Sequence, residues 1–189
     1  MSKEPGFNQY LQIQFLCENA FNPEECKKII EYSGTIPKTQ AFMGNGQIDY
    51  TKRIAKTTFI PFTQDNSWIS NRIISIAMNA NDNFYKFRIS HLSDLQVLEY
   101  SENGHFDWHV DIGATRESCT RKISIIVFLT QRKNYQGGQL VWLPPAEFTI
   151  EQEQGSMVVF PSYHVHKVEP VISGVRHTLL AWLHGEPFS

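Results

Sequence analysis

From Leu95 onward the chain breaks into short apolar runs separated by turn residues, and that spacing restricts the fold more than any other feature. The runs are Leu95 to Tyr100, Phe106 to Asp111, Lys122 to Thr130, Gln139 to Leu143, Phe148 to Ile150, Met157 to Phe160, Val165 to Val168 and His177 to Leu183. Many short strands at such intervals predict a sandwich or jelly roll, the architecture that includes cupins. The half before Leu95 reads differently. Tyr10 to Phe15 alternates apolar and polar residues and predicts a half-buried strand. Asn22 as N-cap, Pro23 at the first helical position, Glu24 and Glu25 at the positive end and Gly34 as C-cap outline a helix carrying Ile29, Ile30 and Tyr32. Thr35 to Ile48 contains Pro37, Gly44 and Gly46 and reads as a loop. A strand over Lys56 to Phe62 and a helix from Asn66 to Ala80 follow, the helix presenting Trp68, Ile69, Ile73, Ile76 and Ala77 on one face. The fold class is mainly β with supporting helices.

Within the β half, Leu95 to Gly113 carries the first chemistry. His109 and Asp111 are two positions apart in a strand-like run, so both side chains leave one face and can reach one point. An imidazole and a carboxylate do not hold a metal ion securely without a third donor. The segment Met157 to Val171 offers His164 and His166, which share a face, so strand period does not choose between them. Two histidines and one carboxylate with open positions form the ligand set of non-haem Fe(II) oxygenases. Structural zinc sites more often close with four ligands, thiolates common among them, and here only Cys119 is near. His105 and His109 have the spacing of a zinc-protease helix, but Gly104 and the alternating pattern oppose a helix, and the glutamate of that motif is absent.

A second element lies in the last strand. Arg176 opens the run RHTLLAWL, with Thr178, Leu180 and Trp182 on its face, so its guanidinium enters an apolar interior and needs an anionic partner. A planar carboxylate taken bidentately is the best one.

The ordered series Tyr100, Gly104, Phe106, His109-Val-Asp111, then Tyr135-Gln-Gly137-Gly138-Gln-Leu140, then Phe160-Pro161-Ser162, His166-Lys-Val168, Pro170-Val171, Gly174-Val-Arg176 and Trp182 resembles the 2-oxoglutarate- and Fe(II)-dependent oxygenases. The likeness is greatest to the prolyl 4-hydroxylase-like branch, with its bacterial and phage PKHD-type hydroxylases, and it covers Leu95 to Pro187. It implies a double-stranded β-helix in which strands of two facing sheets bring His166 to the His109/Asp111 pair. It further implies His109, Asp111 and His166 as iron ligands and Arg176 as the partner of the 2-oxoglutarate C5 carboxylate. Tyr100 falls where the family places a co-substrate hydrogen-bond donor, Thr178 and Ser124 are further candidates, and Trp182 is near the metal or simply core. The context His-x-Val-x-Pro-Val chooses His166; His164 then belongs to the rim.

The implied reaction converts 2-oxoglutarate and O₂ to succinate and CO₂ while a substrate C–H bond is hydroxylated, with ascorbate re-reducing the iron as in relatives. Halogenating relatives replace the carboxylate ligand with a small residue, so Asp111 favours hydroxylation. A peptidyl residue such as proline is the first substrate class implied. A free amino acid, another small molecule or a nucleobase is the second, and a non-catalytic metal- or ligand-binding jelly roll the third. The loops Thr35 to Tyr50, Gly113 to Thr120 and Pro144 to Gln154 are expected around the mouth, where they select substrate. Gly137 and Gly138 are expected to supply positive φ or close backbone approach.

Size and charge bound what remains. A chain of 189 residues buries roughly 70% of its unfolded surface and needs no disulfide or structural metal to fold. One domain over 1–189 is expected, with 1–92 a helix-rich support and 93–189 the metal-binding jelly-roll core. A net charge of −2 and a pI near 6.4 give no bulk reason to bind nucleic acid. Cys17, Cys26 and Cys119 are odd in number and suit a reducing compartment. No signal-peptide pattern or membrane-spanning run is evident, so a cytoplasmic location is expected. Oligomeric state is not readable.

Overall fold

The computed structural model describes residues 14–41, 48–115, 117–143 and 148–188. In chain order its first elements are β1 (Phe15–Cys17), α1 (Pro23–Gly34), β2 (Thr39–Gln40), β3 (Arg53–Ile54), β4 (Lys56–Ile60), α2 (Ser67–Ala80) and β5 (His91–Leu92). They are followed by β6 (Leu95–Tyr100), β7 (His105–His109), β8 (Arg121–Phe128), β9 (Tyr135–Gly137), β10 (Leu140–Leu143), β11 (Phe148–Thr149), β12 (Met157–Pro161), β13 (Val165–Val168), β14 (Val171–Gly174) and β15 (Arg176–His184).

Two antiparallel sheets face one another. The larger has eight strands in the order β1-β12-β8-β15-β6-β4-β2, with β5 paired to the end of β15; the smaller runs β11-β10-β13-β7-β3. A two-stranded pair, β14 and β9, closes one end. The fold is a double-stranded β-helix backed by helices. Strands from the first sixty residues enter both sheets, β2 and β4 at the edge of the large one and β3 at the edge of the small one.

Alternation along the central strands gives the large sheet two buried faces. Ile123, Ile125 and Val127 of β8, Leu179, Ala181 and Leu183 of β15, and Met157 and Val159 of β12 pack with Ile29 of α1 and Ile69, Ile73 and Ala77 of α2. Ile126 and Phe128, Leu180 and Trp182, and Val158 and Phe160 point the other way, toward Leu140, Trp142 and Val168 of the small sheet. A strand buried on both faces reads as a continuous apolar run, which is the pattern of Ile123 to Phe128 apart from Ser124. That exception faces the site.

The helices hold to the large sheet through named contacts. Asn22 and Glu25 form a reciprocal capping box, with Glu25 N donating to Asn22 Oδ1 at 2.9 Å and Asn22 N donating to Glu25 Oε2 at 2.8 Å. Glu25 also pairs with Arg72 of α2 at 2.6 Å, tying the helices together. The sequence reading needs correction at the other end: Gly34 is the last helical residue, Thr35 is the C-cap, and neither has positive φ. Beyond α2 the chain continues as a π-turn over Asn81–Tyr85, closed by Lys86 at φ 59°.

The expected strands at 95–100 and 165–168 match the observed bounds, and most others shift by a residue or two. The strand expected at Tyr10 to Phe15 lies almost wholly outside the described residues. No helix among the described residues is long and apolar enough to cross a membrane.

Ile125 is fully buried against the helices. We expect Ile125→Ala to destabilise the protein by about 2–5 kcal/mol in urea unfolding, the usual cost of emptying a packed site. A loss below about 1 kcal/mol would contradict this assignment of faces.

Candidate metal centre

The centre is built from neighbouring strands and one strand end. His166 of β13 and His109 of β7 are direct cross-strand partners within the small sheet. This corrects the expectation that facing sheets bring them together: strand pairing itself sets the imidazoles side by side, with ring centroids 4.1 Å apart. Asp111 lies beyond the end of β7, so strand alternation does not explain its direction either. Its N–H donates to the Ser162 carbonyl at 2.9 Å, and its own carbonyl accepts from Arg121 Nη1 at 3.2 Å. The chain is thereby turned so that the carboxylate faces both rings.

His109 Nε2 is 3.6 Å from Asp111 Oδ1, and His166 Nε2 is 3.8 Å from Oδ2. All three donors lie within 4.8 Å of one another. Ligands each about 2.1 Å from an ion are at most about 4.2 Å apart, so one ion can bridge either imidazole and the carboxylate.

Both rings are oriented for coordination by carbonyls two residues behind them. His109 Nδ1 is 2.7 Å from the Asp107 oxygen and His166 Nδ1 is 2.9 Å from the His164 oxygen. A carbonyl only accepts, so each Nδ1 carries the proton and each Nε2 presents a lone pair. His164 thus contributes its backbone; its ring packs beside Tyr163 at 5.1 Å. Phe106 stacks on His109 at 3.5 Å and Phe160 meets His166 edge-on at 4.9 Å, fixing both planes. His105, bonded through Nδ1 to the Asn103 oxygen, stays outside the group.

Charge follows from these surroundings. Burial, then the neighbouring His166, pushes the His109 pKa down to about 3 against the pull of Asp111, so the ring is neutral at pH 7. Burial works against the charge on Asp111, but His166, His109, Ser124 and Trp182 together hold its carboxyl below the ordinary value. Ser124 Oγ donates to Asp111 Oδ2 at 2.6 Å and lies 3.0 Å from Ser162 Oγ. Ser124 was a candidate for the co-substrate in the sequence; its hydroxyl is engaged by the carboxylate instead.

The donors open into a cavity of about 660 Å³ that also reaches Tyr100, Thr178, Trp182 and Arg176. Arg176 and Tyr100 are cross-strand partners on the inner face of the large sheet, and the guanidinium carbon is 5.3 Å from the Tyr100 ring. Arg176 is 1% exposed, yet among the described residues no carboxylate pairs with it and its Nε has no hydrogen-bond partner. A buried cation left so incompletely satisfied favours an anion. Gly138, at φ +62°, makes room for the arginine, since a Cβ there would lie 2.9 Å from Arg176 Cδ.

Two residues of this region escaped the sequence reading. Arg121 lines the cavity and stacks over Trp182 at 3.6 Å, and Gln152 reaches Arg176 from a loop expected at the mouth. Alternation from Ile123 and Ile125 would put Arg121 on the helix-facing side, but the β8–β15 register shifts next to it and it lines the cavity instead, and Gln152 lies in a segment without periodicity.

Fold and donor set together define a double-stranded β-helix with a two-histidine, one-carboxylate centre. Residues 95–184 match the model of the 2OG-Fe(II) oxygenase superfamily. The chain is 36% identical over 95 residues to a PKHD-type hydroxylase of Rippkaea orientalis, covering 49% of this chain and 43% of the relative. It is 34% identical over 90 residues to one of Alteromonas mediterranea, covering 44% and 40%. The chain thus spans less than half the length of these curated relatives.

The fold is shared more widely. A prolyl hydroxylase of Trichoplax adhaerens, solved with a hypoxia-inducible-factor peptide fragment, superposes with a TM-score of 0.77 at 15% identity, covering 90% of this chain and 83% of that one. A Pseudomonas putida prolyl-4-hydroxylase gives 0.75 at 16% identity, covering 93% and 94%. The superfamily implies Fe(II), 2-oxoglutarate and O₂. The site fits them: the donors are of the right kind, and a buried guanidinium waits in the same cavity.

If Ser124 orients the carboxylate, Ser124→Ala should weaken Mn(II) or Fe(II) binding by about 10–100-fold, the usual penalty for losing a group that holds a ligand. Unchanged affinity in a metal titration at pH 7 would remove Ser124 from that role.

Proposed function

We propose that this chain is a 2-oxoglutarate- and Fe(II)-dependent dioxygenase that hydroxylates a C–H bond, with a peptidyl residue such as proline as its substrate. The observation that carries the reading is the pairing, in one cavity, of a three-donor metal centre with a buried arginine that pairs with no carboxylate among the described residues. Support for a peptide comes from the prolyl hydroxylases that share the fold, one of them solved with a peptide fragment.

In this reading His109 Nε2, His166 Nε2 and an Asp111 oxygen would hold the iron. When bound, Fe(II) with 2-oxoglutarate and O₂ supplies the oxidising power: the keto acid leaves as succinate and CO₂, and one oxygen atom enters the substrate as hydroxyl. The chain's own work is positioning. The neutral His109 imidazole donates without first losing a proton, and Ser124 keeps one Asp111 oxygen engaged. Arg176 takes the far carboxylate of the co-substrate as a charge-assisted, two-pronged pair, with Tyr100 and Thr178 beside it. Leu98, Ile126, Leu180 and Trp182 keep the intervening wall apolar and limit water near the reacting atoms.

A reductant such as ascorbate would keep a bound iron ferrous. Cys17, Cys26 and Cys119 are free thiols.

Anaerobic Fe(II) and 2-oxoglutarate should together give a visible charge-transfer band, and admitting O₂ with a proline-containing peptide library should give succinate coupled to a one-oxygen mass gain. A protein that binds the metal but never forms succinate would defeat the enzymatic reading. Asp111→Ala should abolish turnover. Arg176→Ala should raise the 2-oxoglutarate concentration needed for half-maximal rate at least thirtyfold, from about 2 kcal/mol or more of lost charge pairing. An unchanged requirement would remove Arg176 from the site.

A further inference from the structure

No described residue of the loop before β12 lines the cavity, contrary to the expectation that it borders the mouth, yet the loop reaches Arg176. Gln152 turns inward, is 4% exposed, and accepts through Oε1 from Arg176 Nη2 at 3.3 Å. The residues after it are anchored: Gln154 Nε2 donates to the Leu129 carbonyl at 2.9 Å, and Gly155 N donates to the Phe128 carbonyl at 2.7 Å. Gly155 in turn accepts from Phe21 N at 2.9 Å. Gln152 therefore stands on a segment bonded to the end of β8, while the Phe128 ring on the same strand lies 5.8 Å from the guanidinium carbon.

The chemical type of this contact matters more than its presence. Arg176 is wholly enclosed, between the Tyr100 and Phe128 rings, with Gly138 against its stem. A carboxylate in Gln152's place would neutralise the guanidinium in a water-poor site, and a second carboxylate would have to displace it to bind. A neutral amide oxygen at 3.3 Å orients the fork without cancelling its charge. We propose that Gln152 is a positioning residue for co-substrate binding: it fixes the guanidinium at the closed end of the cavity while leaving its charge to the incoming dicarboxylate. The inference rests on the 2-oxoglutarate reading above.

The test is equilibrium binding of 2-oxoglutarate to the Mn(II)-loaded protein by calorimetry, for wild type, Gln152→Glu and Gln152→Met. Glutamate keeps the shape and adds the competing charge; methionine keeps the approximate volume and removes the acceptor. The dissociation constant should rise at least fivefold more in Gln152→Glu than in Gln152→Met, with Mn(II) affinity unchanged in both. A merely structural glutamine predicts similar losses in the two variants, and that result would overturn the proposal.

Should Gln152→Glu fail to fold, the readout is the preference of Gln152→Met for 2-oxoglutarate over the one-carbon-shorter oxaloacetate. That preference should fall at least threefold as the guanidinium loses its fixed depth, and a smaller change overturns the proposal. Wild-type protein that binds no 2-oxoglutarate defeats the parent reading. Wild-type binding that requires Arg176 yet does not distinguish Gln152→Glu from Gln152→Met defeats this inference alone.

Discussion

The site depends on one register: His166 opposite His109 across the β13–β7 pair. Because side chains in a strand alternate, a slip of one residue would turn His166 away and replace it with Val165 or Lys167. The register is held on both sides of the pair. β10 aligns Trp142 with His166 on one flank, and β3 aligns Arg53 with Phe106 on the other. The ladder shifts between His166 and Val168, so the pairing is most irregular next to the site. Irregularities of this kind commonly re-aim side chains beside active sites.

The third donor depends on both sheets. Asp111 follows β7 of the small sheet, but its carboxylate is engaged by Ser124 of β8 in the large one, and its backbone N–H by Ser162 beyond β12. The facing sheets are thus tied by hydrogen bonds at the metal centre as well as by the apolar packing of Ile126, Leu140, Trp142 and Leu180. A buried carboxylate is tolerated because Ser124 satisfies one oxygen and a cation would satisfy the rest. Arg176 is the complementary case at the far end of the cavity. Arg176 pairs with no carboxylate among the described residues, and a ferrous ion at Asp111 and a dicarboxylate at Arg176 are the ligands that would complete the two ends.

Much of this was legible in the sequence, for specific reasons. The runs at Leu95, Met157 and Val165 were long enough and sufficiently apolar to mark strands, and Arg176 with Thr178, Leu180 and Trp182 shared a face as period two requires. Asn22, Pro23 and Glu25 marked a helix start because capping is local chemistry. The strands β2, β3 and β5 were not legible, since two residues carry no periodicity and form only where an existing edge receives them. His109, Asp111 and His166 were readable as a set, but the way they meet was not. Register and the turn at Asp111 are tertiary properties, as is the choice of Ser124 for the carboxylate. Gln152 was least visible of all, because an amide in a loop gains meaning only when the strand it touches carries a buried arginine.

The most direct measurement is an anaerobic crystal structure of the protein with Fe(II) and 2-oxoglutarate. The account requires one ion bonded to His109 Nε2, His166 Nε2 and an Asp111 oxygen, with the keto acid running from that ion to the Arg176 guanidinium. An ion seated elsewhere, or a keto acid whose far carboxylate lies away from Arg176, would contradict it.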